Sequence, residues 1–244
     1  MALFAFGSGV LLGFRSDIAP STPINFGYVQ EVQIETSFTT KQLFGQNQFP
    51  LAIARGQGKI SGKAKMAQVS GLAFNTLFFG AALTPGLTNV AYGESQTVTT
   101  GAATVSQSAN FGTDYGVVYA STGLPLYKTT GAPSAGGTYS QTGGAYSFNT
   151  ADNTKGVLIS YAYTGASGED FTVNNQLLGT TPTFQCVLHT IFQGKEVDVT
   201  LFNCVSNKLG FATKLEDFTI PELDFECFAN ASGQVMTWSF SEAS

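Results

Sequence analysis

Apolar and polar residues alternate along several stretches of the chain, which is the pattern of half-buried β-strands. Val10–Arg15 is predicted to be a short strand, and Ile24–Phe38 and Leu51–Gln68 are predicted to be long ones. In the first long segment, Tyr28, Val32, Ile34 and Phe38 alternate with Glu31, Gln33, Glu35 and Ser37. In the second, Ile60, Ala64 and Met66 alternate with Lys59, Ser61, Lys63 and Lys65. The two segments therefore form a long hairpin, joined by a predicted loop over Lys41–Pro50.

One short helix is expected directly after this hairpin. Ser70 can act as its N-cap, and Gly80 is placed where a helix C-terminus favours positive φ. Leu72, Ala73, Thr76 and Leu77 share one face. A helix this short and apolar is expected to cover one face of a sheet.

The composition changes at about Gly93, where Gly, Ser and Thr become frequent and charges rare. A disordered linker is one interpretation. Strand patterns persist, however, as in the alternation over Val157–Tyr163, and Gly143-Gly144 is typical of a hairpin turn. We therefore predict an inserted β domain over residues 93–181, within a domain formed by residues 1–92 and 182–244. The last predicted hairpin pairs Leu223–Phe228 with Val235–Phe240.

Charged residues are unusually rare in this chain. They make up 11% of its 244 residues, against about 25% in ordinary globular proteins. Aromatic residues make up 13% and include 21 phenylalanines. Because charges are costly to desolvate, this composition suits a surface that contacts other protein surfaces. The net charge of −5 and the lack of a dense basic stripe argue against binding to nucleic-acid phosphates.

The three cysteines are Cys186, Cys204 and Cys227, an odd number with wide spacing, so we expect no disulfide framework. Each lies in an apolar, strand-like run, where free cysteine packs as a small hydrophobic residue. The apolar segment Met1–Phe14 lacks a basic start and contains three glycines. It is therefore expected to be a strand or an assembly arm rather than a signal peptide or a membrane span.

Candidate chemistry is sparse, and we expect no enzyme activity, no cofactor and no metal site. His189 is the only histidine, and Cys186, three residues earlier, points to the opposite face of a strand. The carboxylate pairs Glu31/Glu35 and Asp224/Glu226 fit the wet face of strands better than an acid–base site. The stripe of Lys59, Lys63 and Lys65 is either solvated and paired with Glu31 or Glu35, or forms salt bridges between subunits.

Two stretches of the chain resemble the tail tube (major tail) proteins of tailed bacteriophages. The first combines Gly27-Tyr28-Val29-Gln30-Glu31-Val32, Lys41-Gln42-Leu43-Phe44-Gly45, Phe49-Pro50, Gly58-Lys59-Ile60-Ser61-Gly62-Lys63, Ser70-Gly71 and Phe79-Gly80. The second combines Lys214-Leu215-Glu216-Asp217-Phe218-Thr219, residues 225–228, Gly233-Gln234-Val235 and Trp238-Ser239-Phe240. The order and spacing of these pieces carry the resemblance over a little more than half of the chain. The central insertion resembles the immunoglobulin-like β modules of phage structural proteins.

The resemblance implies a virion protein with a β-sandwich or β-barrel domain, assembled in the bacterial cytoplasm into hexameric rings that stack as a tube. It implies contacts with tape-measure, tail terminator and baseplate or hub proteins. Phage DNA would pass through an acidic lumen during ejection without specific binding, and no membrane would be involved. A predicted inter-ring loop contains Lys41, Leu43, Phe44, Gly45, Phe49 and Pro50. A predicted lumen or inter-subunit face contains Glu31, Gln33, Glu35, Lys59, Lys63 and Lys65.

Several alternatives to this interpretation remain. One is a head decoration or tail completion protein, which keeps the virion class and changes the location. Another is a cell- or carbohydrate-binding β module whose tyrosine-rich insertion forms the binding surface. The tube of a bacterial secretion system or of a gene transfer agent would share the fold.

Overall fold

The computed structural model describes residues 6–241, which form two compact units. Unit 1 consists of the chain up to Ala81 and from Val173 onward, and unit 2 is Ala82–Thr172. Strands account for 58% of the residues and helices for 6%, which confirms an all-β protein with one short helix. The N-terminal segment Met1–Phe14 is predicted to be a strand or an assembly arm, and its first five residues lie outside the described part.

The strands and helical turns of this described part are as follows. The strands are β1 (Val10–Arg15), β2 (Ile24–Asn25), β3 (Val29–Phe44), β4 (Pro50–Met66), β5 (Leu83–Thr97), β6 (Ala102–Thr104), β7 (Phe111–Tyr119), β8 (Tyr127–Lys128), β9 (Thr138–Thr142), β10 (Ala145–Phe148), β11 (Gly156–Phe171), β12 (Phe184–Phe192), β13 (Lys195–Gly210), β14 (Glu222–Phe228) and β15 (Met236–Phe240). The helical segments are α1 (Gly71–Phe74), which continues as a π-helical turn (Asn75–Phe79), and the 3-10 turns Ser108–Asn110 and Thr150–Asp152. None of these helices is long and apolar enough to cross a bilayer.

Unit 1 contains one antiparallel sheet with the strand order β2-β1-β12-β13-β14-β4-β3. The second half of β13 pairs with β14, and its first half pairs with β15. The predicted final hairpin is therefore wrong, because β14 and β15 follow each other along β13 instead of pairing together. Within the described residues β3 pairs only with β4, which makes β3 an edge strand.

The core of unit 1 lies on one face of this sheet. On β4, Ile60, Ala64 and Met66 are buried, which confirms the predicted alternation with the lysines. Gly62 belongs to the same buried series, and a Cβ atom there would overlap the ring of Phe225 on β14. Only glycine leaves room for that ring, which is almost fully buried.

The α1 segment covers this core, as predicted. The Ser70 hydroxyl accepts a hydrogen bond from the Ala73 N–H at 3.3 Å, and Gly80 adopts a φ of 62° at the C-terminal end. Leu77 is buried within the core cluster of the sheet, and its carbonyl accepts a hydrogen bond from the Ser206 hydroxyl at 3.0 Å. The helix is therefore fixed to the sheet by both packing and a polar contact.

The predicted loop over Lys41–Pro50 is too long. Strand β3 continues to Phe44 and β4 starts at Pro50, so only residues 45–49 form the turn. Its Gly, Asn and Gln residues mark the turn itself, whereas the flanking Lys41 pairs with Ala54 in regular register. Pro50 is compatible with this arrangement because it is the first residue of its strand.

Unit 2 contains two sheets, β6-β10-β9-β8 and β5-β11-β7, which contribute to one core cluster. Gly143 has a φ of 57° in the turn between β9 and β10, as expected of a glycine hairpin turn. The compact unit differs from the predicted insertion over residues 93–181. Strand β5 starts at Leu83, ten residues before the composition changes, and pairs with β11 down to Phe171.

Buried carboxylates hold tyrosine hydroxyls together in unit 2. Asp114 accepts hydrogen bonds from the hydroxyls of Tyr139 at 2.9 Å and Tyr146 at 3.0 Å, and its carboxylate lies 2.8 Å from the Lys128 ammonium. Burial alone would raise the pKa of this carboxyl group, but the hydrogen bonds from Lys128 and Tyr139 outweigh it and lower the pKa. Ionised Asp114 therefore stabilises the folded unit.

Asp152 is a second carboxylate of this kind, and it is fully buried. It accepts hydrogen bonds from the Tyr119 hydroxyl at 2.6 Å and the Gly137 N–H at 2.8 Å, and it pairs with Lys155 at 2.8 Å. Burial opposes its ionisation, but the hydrogen bonds from Lys155 and Tyr119 lower its pKa.

The first prediction concerns Gly62. Replacing it with alanine should lower the free energy of unfolding of unit 1 by about 1–3 kcal/mol, because the wedged Phe225 ring must shift. Trp238 in β15 is the only tryptophan, so its fluorescence in a denaturant titration reports on unit 1. The matched control is Gly71→Ala, where a Cβ atom meets nothing within 4 Å. Equal stability of the two variants would contradict this account of the core.

The second prediction concerns pH. Because the pKa values of Asp114 and Asp152 are lowered in the folded state, their stabilisation is present above the unfolded value of about 4 and is lost as the pH falls further. Asp152→Asn should remove about 1–3 kcal/mol at pH 7 and should flatten this pH dependence. Eight of the nine tyrosines lie in unit 2, so their near-ultraviolet circular dichroism follows its unfolding. An unchanged pH profile in the variant would refute the role of Asp152.

Candidate assembly surface

The long hairpin of unit 1 extends beyond the sheet that carries it. Strand β14 pairs with β4 only between Ile60 and Lys65. Beyond that point the hairpin has two strands, and we call its residues 37–59 the arm. Eight residues of β3, from Ser37 to Phe44, run along the arm, which corresponds to roughly 26 Å of extended chain.

Almost every residue of the arm is exposed, although many of them are apolar. Pro50 is the single exception between residues 37 and 59, and it is half-buried. The large exposed apolar side chains are Phe38, Leu43, Phe44, Phe49, Leu51 and Ile53. Phe49 at the turn is 80% exposed. Burying a side chain of this size contributes about 1.5–3 kcal/mol. Contact with another apolar surface would therefore stabilise the arm.

The arm has few contacts of its own to hold it. The Arg55 guanidinium lies 4.8 Å from the centre of the Phe38 ring, and the Thr39 hydroxyl donates a hydrogen bond to the Gln57 carbonyl at 3.4 Å. Two-stranded hairpins without a third strand or a packed face are marginally stable in water. The arm alone therefore has only marginal stability.

All residues of the predicted inter-ring loop lie in the arm, although most of them are not in a loop. Lys41, Leu43 and Phe44 belong to β3, Gly45 and Phe49 bound the turn, and Pro50 opens β4. The structure thus brings them together in the exposed ribbon. Sequence reasoning identified these residues but assigned the wrong local conformation to the strand positions.

The predicted polar face of the hairpin forms part of a wider charged surface. Lys65 pairs with Glu31 at 2.5 Å, one of the salt bridges expected across the hairpin. Lys63 and Lys59 pair instead with Glu222 at 3.1 Å and Glu226 at 2.7 Å on β14. The strand order explains this difference, because β4 lies between β3 and β14. No local sequence pattern indicates that β14 is the neighbour of β4.

Signs of charge alternate from strand to strand across this surface. The carboxylates are Glu31 and Glu35 on β3 and Glu222, Asp224 and Glu226 on β14, and the ammonium groups are Lys59, Lys63 and Lys65 on β4 and Lys208 on β13. Hydrogen bonding to Glu31 raises the pKa of Lys65, and hydrogen bonding from Lys63 lowers that of Glu222. Five negative groups against four positive ones leave this face almost neutral, so it is not strongly acidic.

The only histidine lies beside a carboxylate of the neighbouring strand. His189 Nδ1 lies 2.6 Å from a carboxylate oxygen of Asp198, its register partner on β13. Asp198 pairs with His189 of β12 on one side and with Ser239 of β15 on the other. The strand β13 therefore separates the serine from the imidazole. Cys186 is fully buried, on the face opposite His189, as strand geometry predicts. Among residues 6–241 no three potential ligands form a metal site.

Comparisons with known proteins leave this surface as the main guide to function. No protein-family model matches the sequence, and no curated protein matches it significantly.

Proposed function

We propose that this protein is a structural subunit of a bacteriophage tail tube, in which copies form hexameric rings that stack into a hollow conduit for DNA ejection. The observation that carries the proposal is the arm, a solvated apolar ribbon of two strands without a third. A second copy of the chain offers strand edges and apolar groups of the same kind. Exposed strand edges of two copies can pair with each other, in an isologous or a heterologous contact.

The edge strand β3 supports the same proposal. Within residues 6–241 no strand pairs with its outer edge, although the Ser8 hydroxyl donates a hydrogen bond to the Val29 carbonyl at its start. Closure of a ring of subunits removes open edges. The face of β3, β4 and β14 suits either a wall of the lumen or a subunit contact, because the three lysines of β4 pair with carboxylates on both neighbouring strands. On this proposal the arm contacts the next ring or the neighbouring subunit.

The proposed partners follow from a tube. They are further copies of this chain, a tape-measure protein and DNA within the lumen, and terminator and baseplate or hub proteins at the ends. The chain would be assembled in the cytoplasm of a bacterial host and would function in the virion. Neither a cofactor nor a reaction belongs to this role.

A second candidate function, saccharide binding, is favoured by two tyrosines of unit 2. Tyr92 and Tyr115 are 91% and 56% exposed, and each lies at a register shift beside Ser160 of β11. Exposed aromatic side chains of this kind are groups on which sugar rings can stack. Negative-stain microscopy of the purified protein separates the two candidates. A tail tube subunit should form long tubes, whereas a saccharide-binding module should remain a discrete particle.

The third prediction tests assembly through the arm. Purified protein should form long tubes in negative-stain micrographs, and Ile53→Asp should raise the critical concentration for assembly at least about tenfold, since a buried isoleucine is worth more than 1.4 kcal/mol. Unchanged Trp238 fluorescence would show that the variant still folds.

The matched control for this test is Ile191→Asp. Ile191 lies in β12 and is 54% exposed, close to the 61% of Ile53, but it is outside the arm. Tubes from this control together with discrete particles from Ile53→Asp would support the proposal. Discrete particles from the unmodified chain at high concentration would refute the proposed function, and equal effects of both variants would refute the role of the arm.

A further inference from the structure

Two of the three cysteines lie directly opposite each other on neighbouring strands of unit 1. Cys204 on β13 and Cys227 on β14 are register partners, and their sulfur atoms are 3.3 Å apart. Opposite residues of an antiparallel pair have Cα atoms about 4.5–5.5 Å apart, which is within the range that disulfides span. The backbone at this pair therefore already permits a disulfide.

The two thiols differ in their access to solvent. Cys204 is fully buried, whereas Cys227 is only partly buried. Cys227 lies in the wall of an open groove whose lining includes Ile60, Val235 and Met236. A small reagent can therefore approach Cys227 from the groove, whereas Cys204 is buried and does not line it.

The hydrogen bond between the two sulfurs makes their acidities different. Either sulfur can donate this bond. When Cys227 is ionised, the Cys204 thiol donates to it, which lowers the pKa of Cys227, while this bond and burial raise the pKa of Cys204. The thiolate is the reactive form of cysteine. The accessible sulfur is thus also the one that ionises first.

We propose that Cys204 and Cys227 are an oxidation site, which forms an intrachain cross-strand disulfide by exchange with a small-molecule disulfide. The thiolate of Cys227 attacks one sulfur of the reagent, its S–S bond breaks, and one thiolate leaves to be protonated by water. Cys204 then attacks the Cys227 sulfur, and its proton passes to the departing sulfur, so the second half of the reagent leaves as a thiol. In sum, the two protein thiols lose two hydrogens and the reagent becomes two thiols.

Cys186 provides an internal comparison. It faces the same core, but its register partners are Gly13 on β1 and Leu201 on β13, so no cysteine lies opposite it. It is fully buried, and burial raises the pKa of its thiol. Cys186 therefore takes no part in the proposed exchange.

The test uses the full chain, reduced and then incubated without oxygen with oxidised glutathione. Intact mass and the number of thiols that alkylate after denaturation are measured. The unmodified chain and the Cys186→Ala control should each lose about 2 Da and two alkylatable thiols, with peptides that join Cys204 to Cys227. Cys204→Ala should instead keep glutathione on Cys227, because the resolving thiol is gone. Cys227→Ala should show neither product.

Two results would overturn this assignment. One is a folded chain that keeps all three thiols at a glutathione concentration that modifies the urea-unfolded chain. The other is a disulfide between Cys186 and Cys227 in the unmodified chain. Trp238 fluorescence checks that each variant folds, and Cys204→Ser replaces Cys204→Ala if the alanine variant does not. The test is run on dilute, unassembled protein, because the groove at Cys227 is also lined by the arm residues Phe38, Gly58 and Lys59.

Discussion

The backbone hydrogen bonds of the arm are the constraint on which this account depends. Between residues 37 and 59 two strands pair with each other, and within the described part of the chain no third strand completes them. A β-strand edge in water is a template for another strand. When that edge also carries exposed Phe, Leu and Ile side chains, both backbone pairing and hydrophobic burial favour contact with a second molecule.

The rest of unit 1 provides a rigid base for this arm. Close packing of Phe225 against Gly62 and the capped helix on the inner face hold β4 in place. On the outer face, acidic, basic and acidic strands alternate, so β4 pairs with both of its neighbours through salt bridges. Such exposed pairs contribute little stability singly. Their regular order instead fixes which charges a neighbouring subunit would meet.

Sequence patterns could predict the strands and the helix of this fold better than which strands lie next to each other. The alternation around Ile60, Ala64 and Met66 identified the buried face of β4, and Ser70 and Gly80 identified the helix ends, because these signals are local. The pairing of Lys63 with Glu222 and the contact of Cys204 with Cys227 depend on the order of strands in the sheet. No local pattern encodes that order, so neither the pairing of Lys59 with Glu226 and of Lys63 with Glu222 nor the cysteine pair could be predicted. The predicted loop over Lys41–Pro50 was longer than the observed turn, because polar strand residues resemble loop residues in composition.

Amide hydrogen exchange measured by mass spectrometry in dilute and in assembled protein tests the central claim most directly. In the dilute protein, residues 37–59 should exchange much faster than Ile60–Met66, which has strand partners on both sides. In assembled tubes the arm should become protected to a similar degree as Ile60–Met66. Rapid exchange of the arm in both states, or slow exchange of the arm in the monomer, would contradict the account.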